Sequence, residues 1–334
     1  METPGFFVLF QNFILPINMF KQITSVNPFQ IRRQGTRAKA LLALAVVSFL
    51  WGTTWLASKA GVQYMPALQL AGIRQFIGGL LYFIYFTIKG RSLPKGNQWW
   101  PVITLSFLNF FLSNGLSTWG VKYISSGLAA IIGAIVPLWV VLFAMIGGNS
   151  KLTPASAIGF ILGFTGICII FYDHLHDFLN ADFRFGILVS VGATLSWALG
   201  TLYTKKQVSA FNPYFSIGLQ MIISGIALTG VTRLTGDHIP ISTIPLPAWL
   251  AIAYLAVLGS VVTFMAYIYA LQHLPTEQVS IYAYINPIVA VLMGTWIFDE
   301  KLNAYIAVGG LVALVGVYLV NDAYRKKKDQ PASQ

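Results

Sequence analysis

The sequence predicts an all-α integral membrane protein in which ten transmembrane helices form two inverted five-helix repeats. Three observations carry that prediction. Of 334 residues, 56% are hydrophobic and only 9% charged, against roughly 25% charged in a soluble protein. Long apolar runs alternate with short polar breaks, and the basic residues concentrate on every second break. The chain also repeats itself: Pro137, Lys151-Leu152, Gly159 and Gly166 recur as Pro287, Lys301-Leu302, Gly309 and Gly316, at a constant offset of 150 residues.

Residues 1–36 form the first region, an N-terminal extension. Its apolar part, Phe6 to Phe20, is broken by Asn12, Pro16 and Asn18, and it lacks the basic start and small-residue cleavage site of a secretory signal. After Arg32, Arg33, Arg37 and Lys39 the runs become regular. The expected spans are Ala40–Ser58, Leu68–Ile88, Pro101–Val121, Leu128–Gly147, Ala155–Tyr172, Phe185–Thr204, Pro213–Thr232, Trp249–Gln272, Val279–Phe298 and Ala304–Val320. Each is near the ~20 residues that a helix needs to cross the hydrocarbon, and a helix satisfies its own backbone polar groups there.

Charge sets the orientation. Fifteen Lys and Arg lie on the side of the termini, namely Lys21, Arg32, Arg33, Arg37, Lys39, Lys89, Arg91, Lys95, Lys151, Lys205, Lys206 and Arg325–Lys328. Five lie on the other: Lys59, Lys122, Arg184, Arg233 and Lys301. The positive-inside rule then places both termini in the cytoplasm. The net charge of +11 therefore reads as topology, and nucleic acid is not an expected partner. The expected partners are the lipid bilayer and a small-molecule solute. No ATPase subunit is evident, and a monomer is expected.

The repeat covers most of the chain. Trp51, Lys59 and Gly90 match Trp197, Lys205 and Gly236 at an offset of 146, and Trp99, Trp119 and Pro137 match Trp249, Tyr269 and Pro287 at 150. The extra residues fall in one loop, 237–248, where insertion is tolerated. The expected units are a first five-helix repeat at 37–176, a second at 177–324 and a basic tail at 325–334. An odd number of crossings inverts the second copy, the arrangement of many secondary transporters.

With Phe49–Gly52 (Phe-Leu-Trp-Gly), Arg74 in the second span, and the pattern Pro287, Glu300-Lys301-Leu302, Gly309, Gly316, residues 37–322 resemble the drug/metabolite transporter superfamily, EamA type. The resemblance implies a multi-pass inner-membrane secondary transporter that moves a small organic metabolite, outward, by alternating access around a central cavity. An amino acid or related amphipathic compound is the first expectation for the solute. The alternatives are a nucleotide-sugar or other metabolite importer of the same superfamily or, from another class, a membrane-embedded enzyme or receptor. The four scattered histidines and short loops speak against the last two. One departure from the family pattern is Ser150, where the first copy often has a glutamate.

The candidate cavity residues are those whose spacing stacks polar or aromatic groups on one helix face: Asn109, Ser113 and Ser117 in span three, Trp51 and Trp55 in span one, Trp197 and Thr201 in span six, Thr263 and Tyr267 in span eight, and Tyr284 in span nine. Small polar residues also serve close helix packing in membranes, so each has a structural alternative. Pro137 and Pro287 each remove a backbone donor inside a span, which predicts matching kinks and candidate hinges. Arg74 reads either as a contact for a solute carboxylate or phosphate or, the favoured use, as a structural group reaching headgroups or capping carbonyls. All ten acidic residues fall outside span centres, leaving His273 and Glu277 at a turn as the only titratable coupling candidates. Cys168 reads as an inert packed thiol, and His174/His176 as solvated loop residues. No catalytic, cofactor-binding or metal site is expected.

Overall fold

The computed structural model describes residues 28–146, 153–173, 175–207, 211–274, 279 and 282–329. Each predicted span is met by a helix. They are α1 (Pro28–Gly61), α2 (Ala67–Ile88), α3 (99–123), α4 (126–146), α5 (Pro154–Asp173), α6 (Ala181–Gln207), α7 (Pro213–Leu234), α8 (Leu246–His273), α9 (Tyr282–Phe298) and α10 (Ala304–Asp329). Among the described residues there is no strand. Six helices are long and apolar enough to cross a bilayer by composition alone, and 126–140, 282–298 and 304–320 are shorter apolar helices. α3 carries two asparagines, Asn109 and Asn114, in its middle. Large apolar side chains such as Phe164 and Leu188 keep about 70% of their surface outside the protein core, which fits a lipid-facing exterior.

Helix ends obey local chemistry at repeat-equivalent places. α2 and α7 both run into a left-handed glycine, Gly90 (φ 67°) and Gly236 (φ 73°), the conformation that a Cβ disfavours. The N-terminus of α5 is capped by Thr153, whose Oγ1 accepts from the Ser156 N–H at 3.1 Å, and that of α10 by Asn303, whose Oδ1 accepts from the Ile306 N–H at 2.8 Å.

The two repeats are related by an axis that crosses helix pairs antiparallel. α2 packs on α7, α4 on α9 and α5 on α10, each a helix against its own counterpart. The remaining main contacts come in exchanged pairs: α1–α8 with α3–α6, and α1–α9 with α4–α6. Glycines fix the register. A Cβ on Gly79 would lie 2.6 Å from Gly218 O, and one on Gly72 would lie 3.2 Å from Gly225 O. Gly72 and Gly218 are equivalent positions, as are Gly79 and Gly225, so the pairing is crossed. The same crossing recurs at α5–α10, where a Cβ on Gly159 would lie 2.7 Å from Gly316 O and one on Gly309 2.6 Å from Gly166 O. Equivalent helices that meet antiparallel require an axis in the membrane plane, which is the inverted repeat. Small residues are what permit backbones this close in a membrane.

Glu300 adds a tie at one end. Its Oε1 accepts from the Ser126 N–H (2.7 Å) and the Ser126 hydroxyl (2.8 Å), and its Oε2 from the Gly127 N–H (3.1 Å). A carboxylate thus takes the first two N–H groups of α4, while Ser125 Oγ accepts from the Leu128 N–H at 3.1 Å. The equivalent turn at Asn149-Ser150-Lys151 lies outside the described residues.

Two expectations need correction. The proline kinks do not match: α4 breaks into Ser126–Gly133 and Val136–Ile146 just before Pro137, whereas α9 continues as a helix through Pro287. With its amide oriented to satisfy both neighbours, Asn286 donates to Tyr282 O (3.0 Å) and Ser48 O (2.7 Å), which ties α9 to α1 beside the proline. Cys168 is exposed rather than packed, because it lies on the outward face of α5, a helix that buries little besides its α10 seam. Residues 1–27, His174, Glu277 and Ser280 lie outside the described residues.

The glycine seams predict a sharp contrast in stability. Gly79→Ala places a methyl against the Gly218 carbonyl and is expected to cost about 1–3 kcal/mol, the usual scale of overpacking. Gly230→Ala, where nothing lies within 4 Å, is expected to be neutral. Thermal unfolding of the detergent-solubilised protein compares them, and equal melting temperatures would count against the seam.

Candidate functional site

A cavity of about 210 Å³ sits where the repeats meet, walled by α1, α2, α3, α4, α6, α8 and α9. Among the described residues, no aspartate or glutamate lines it.

Its walls are shaped by two matching irregularities. α3 turns π-helical at Ser106–Asn114 and α8 at Leu255–Val262. These segments are equivalent at the 150-residue offset. A π segment displaces carbonyls from the regular ladder, and in a bilayer each needs another donor. Neighbouring side chains supply them. Gln75 Nε2 donates to Phe110 O (3.2 Å), Ser196 Oγ to Leu108 O (2.7 Å), Trp51 Nε1 to Gly259 O (3.3 Å) and Tyr82 Oη to Val261 O (2.9 Å). The π turns therefore bind α1, α2 and α6 to α3 and α8 around the cavity.

Of the residues expected at a cavity from sequence, Trp51, Trp55, Ser113, Ser117 and Trp197 lie on its wall, together with Pro137 and Pro287. The other five are placed elsewhere. Asn109 is pressed against Gly200 of α6, with its Oδ1 buried and unpartnered. Thr201 donates to Trp197 O within α6 at 2.8 Å. Thr263 is fully buried and donates to Leu258 O inside the π turn. Tyr267 is one layer behind the wall, against Trp51 (5.2 Å between ring centroids) and Tyr282 (5.6 Å). Tyr284 faces Tyr318 of α10. The cause is common to Asn109 and Thr263: the π turns rotate the residues on α3 and α8 away from the face that a regular i, i+4 stack assigns them.

Residues that the spacing argument missed complete the site. Gln75, Asn114, Ser190 and Asn286 line the cavity, as does Arg74. Arg74 is only 6% exposed. Its Nη2 donates to Asn114 Oδ1 at 2.6 Å, Asn114 Nδ2 donates to Asn109 O at 2.9 Å, and Arg74 Nε has no partner. That Nη2 bond goes to a side-chain amide and not to a helix carbonyl. A guanidinium at membrane depth costs about 2.5–3.5 kcal/mol on insertion scales, so its position inside a cavity wall is informative. Part of the wall is aromatic: Trp51 packs against Phe264 (5.2 Å) and Tyr282 (5.0 Å), and Phe110 against Phe264 (5.7 Å). The cavity wall thus combines one guanidinium and several amides and hydroxyls with a cluster of aromatic rings.

Residues 38–172 and 184–322 each match the EamA-like transporter family. The chain belongs to the EamA-like transporter family. Among relatives of the EamA-like chain, the uncharacterized inner membrane transporter YedA of Escherichia coli K12 is 28% identical over 277 residues, 82% of this chain and 88% of that protein. The uncharacterized transporter YvbV of Bacillus subtilis is 26% identical over 297 residues, 89% and 96% of the two chains. A WAT1-related chloroplastic protein of Arabidopsis thaliana is 25% identical over 282 residues, 82% of this chain and 67% of its own. A solved crystal structure superposes with a TM-score of 0.62 over 87% of this chain and 99% of its own at 17% identity, which shows a shared fold. The EamA matches fall one on each repeat, so family and architecture agree: this is a membrane transporter.

The cavity assignment is checked by labelling. In a Cys168→Ser background, Ser113→Cys and Ser117→Cys are expected to react with a water-soluble maleimide about tenfold faster than Asn109→Cys and Thr263→Cys, because thiol reactivity follows access. Equal rates at the four positions would remove the distinction.

Proposed function

We propose that this EamA-like protein carries a small amphipathic organic metabolite, an amino acid or related compound, across the cell's inner membrane by alternating access. The observation that supports it most is the placement of the cavity on the relation between the repeats, with both repeats contributing a π-helical wall. Two similar halves of opposite orientation can exchange conformations, which makes an inward-open and an outward-open state close in energy. Trp51, Trp55, Ser113, Ser117 and Trp197 are the proposed solute contacts, and the break ahead of Pro137 and the proline in α9 the proposed hinges. Both termini are proposed to be cytoplasmic, on the distribution of Lys and Arg. The naming of YedA as an inner membrane transporter supports the location.

The energetics proposed are passive or solute-driven. A central carboxylate with a burial-raised pKa is a common proton-coupling device, and the cavity wall contains none. A carrier without a coupled ion moves its solute down whichever gradient exists. Export is then the direction when the metabolite accumulates inside.

Purified protein in liposomes loaded with a metabolite mixture is expected to release a subset without ATP, read by mass spectrometry of the outer medium. Ser117→Trp, which fills part of a cavity of about 210 Å³, is expected to cut that release by about tenfold or more, since a small-ligand site depends on its concave volume. No release of any compound across a broad panel would defeat the reading.

A further inference from the structure

We propose that Arg74 is the docking point for a carboxylate on the transported solute, so that the cavity selects amphipathic carboxylates. The inference rests on the transport reading above and deepens it by naming the solute's charged group.

Four observations converge. Arg74 is nine-tenths buried and lines the cavity, and Nη2 has the neutral Asn114 amide for its partner. Its Nε is buried and unpartnered, a donor within a cavity wall with nothing to donate to. Among the described residues, no carboxylate lines the cavity to balance the charge. Beside it, Gln75 spends its Nε2 on Phe110 O and leaves Oε1 buried and unpartnered, so donor and acceptor vacancies sit on adjacent residues. A guanidinium held by one neutral hydrogen bond retains the planar fork that suits a carboxylate.

Comparison of the repeats separates this from a structural role. The position equivalent to Arg74 in the second repeat is Gln220, which bonds Ser216 Oγ at 2.8 Å and does not line the cavity. The position equivalent to Asn114 is Phe264. The α2–α7 seam is therefore built from a neutral residue on one side, and the fold does not demand a cation there. The same wall carries Trp51, Phe264 and Trp197, so the cavity offers an elongated solute both an ionic and an apolar contact. One guanidinium neutralises one carboxylate. A dianionic phosphate would leave an excess negative charge with no second cation on the wall, which favours the carboxylate.

The probes are 3-phenylpropionate, its neutral amide, 3-phenylpropylamine and 2-phenylethyl phosphate, which share an apolar body and differ at the charged end. Binding to the purified full-length protein in detergent is read by quenching of tryptophan fluorescence at neutral pH. The carboxylate is expected to bind about tenfold or more tightly than the amide, the scale of a charge-assisted pair, and the amine more weakly still. In Arg74→Gln the preference for acid over amide is expected to fall to within about twofold, with amide affinity kept, and Arg74→Lys to restore part of it. Equal affinity of the wild type for acid and amide overturns the proposal, and this comparison needs no variant. So does an unchanged ratio in Arg74→Gln, and tighter binding of the phosphate overturns the carboxylate assignment. Counterflow of labelled phenylpropionate in liposomes separates the two layers. Binding without flux sinks the transport reading and leaves the site, whereas metabolite flux with no preference for acids does the reverse.

Discussion

At the crossings of α2 with α7 and α5 with α10, two main chains approach until only glycine fits between them. A Cβ on Gly225 would meet the Phe76 backbone nitrogen at 2.6 Å, and one on Gly309 the Gly166 carbonyl at the same distance. Lipid gives little hydrophobic reason for apolar helices to associate, so close van der Waals contact has to supply the attraction. These seams set the positions of the other helices. They hold the two repeats in antiparallel register, and that register brings the π turns of α3 and α8 to opposite sides of one cavity. Because each seam pairs a helix with its own counterpart, small residues there satisfy both copies at once.

The π turns convert this frame into a site. Each frees carbonyls that must be paired away from water, and the donors that pair them come from the helices which wall the cavity. A regular helix in either place would leave Trp51, Gln75 and Ser196 without these acceptors. The irregularity is therefore part of the packing, and it also decides which residues of α3 and α8 face inward. Ser113 does, and Thr263, at the equivalent position, does not.

The architecture was legible in the sequence because its signals are periodic and redundant. Apolar run length, the alternation of basic breaks and the constant offset between Pro137 and Pro287 each point to the same ten-helix repeat. Gly159, Gly166, Gly309 and Gly316 were visible as a pattern, though not as the crossed pairs they form. The seam of Gly72, Gly79, Gly218 and Gly225 carried the same signal at the other offset. The site was legible only in part. Trp51, Trp55, Ser113, Ser117 and Trp197 follow from helical spacing, whereas Asn109 and Thr263 were misplaced since spacing by four assumes an α-helix, and these helices turn π-helical there. Nothing in the local sequence announces such a turn. Arg74 was read as structural because a lone arginine in a span commonly reaches for headgroups; its Asn114 partner and its place on the cavity wall are visible only in three dimensions.

Symmetry and its loss divide along a physical line. Residues that hold the repeats together recur in both copies, since an interface on the axis is made twice from the same parts. The four glycine pairs follow this rule, and the local helix ends at Gly90 and Gly236 and at Thr153 and Asn303 recur as well. The cavity follows it only in part: Trp51 and Trp197 recur on its wall, as do Pro137 and Pro287, but Arg74 answers to Gln220 and Asn114 to Phe264. A small organic molecule that rests near the axis has no twofold symmetry of its own, so it cannot offer the same group to both halves. A wall that recognised it with identical residues on each side would leave one set unpaired, and unpaired buried polar groups are costly. Divergence between the copies is thus what a single asymmetric occupant requires. The departures from the repeat are accordingly more informative about the solute than its conserved frame.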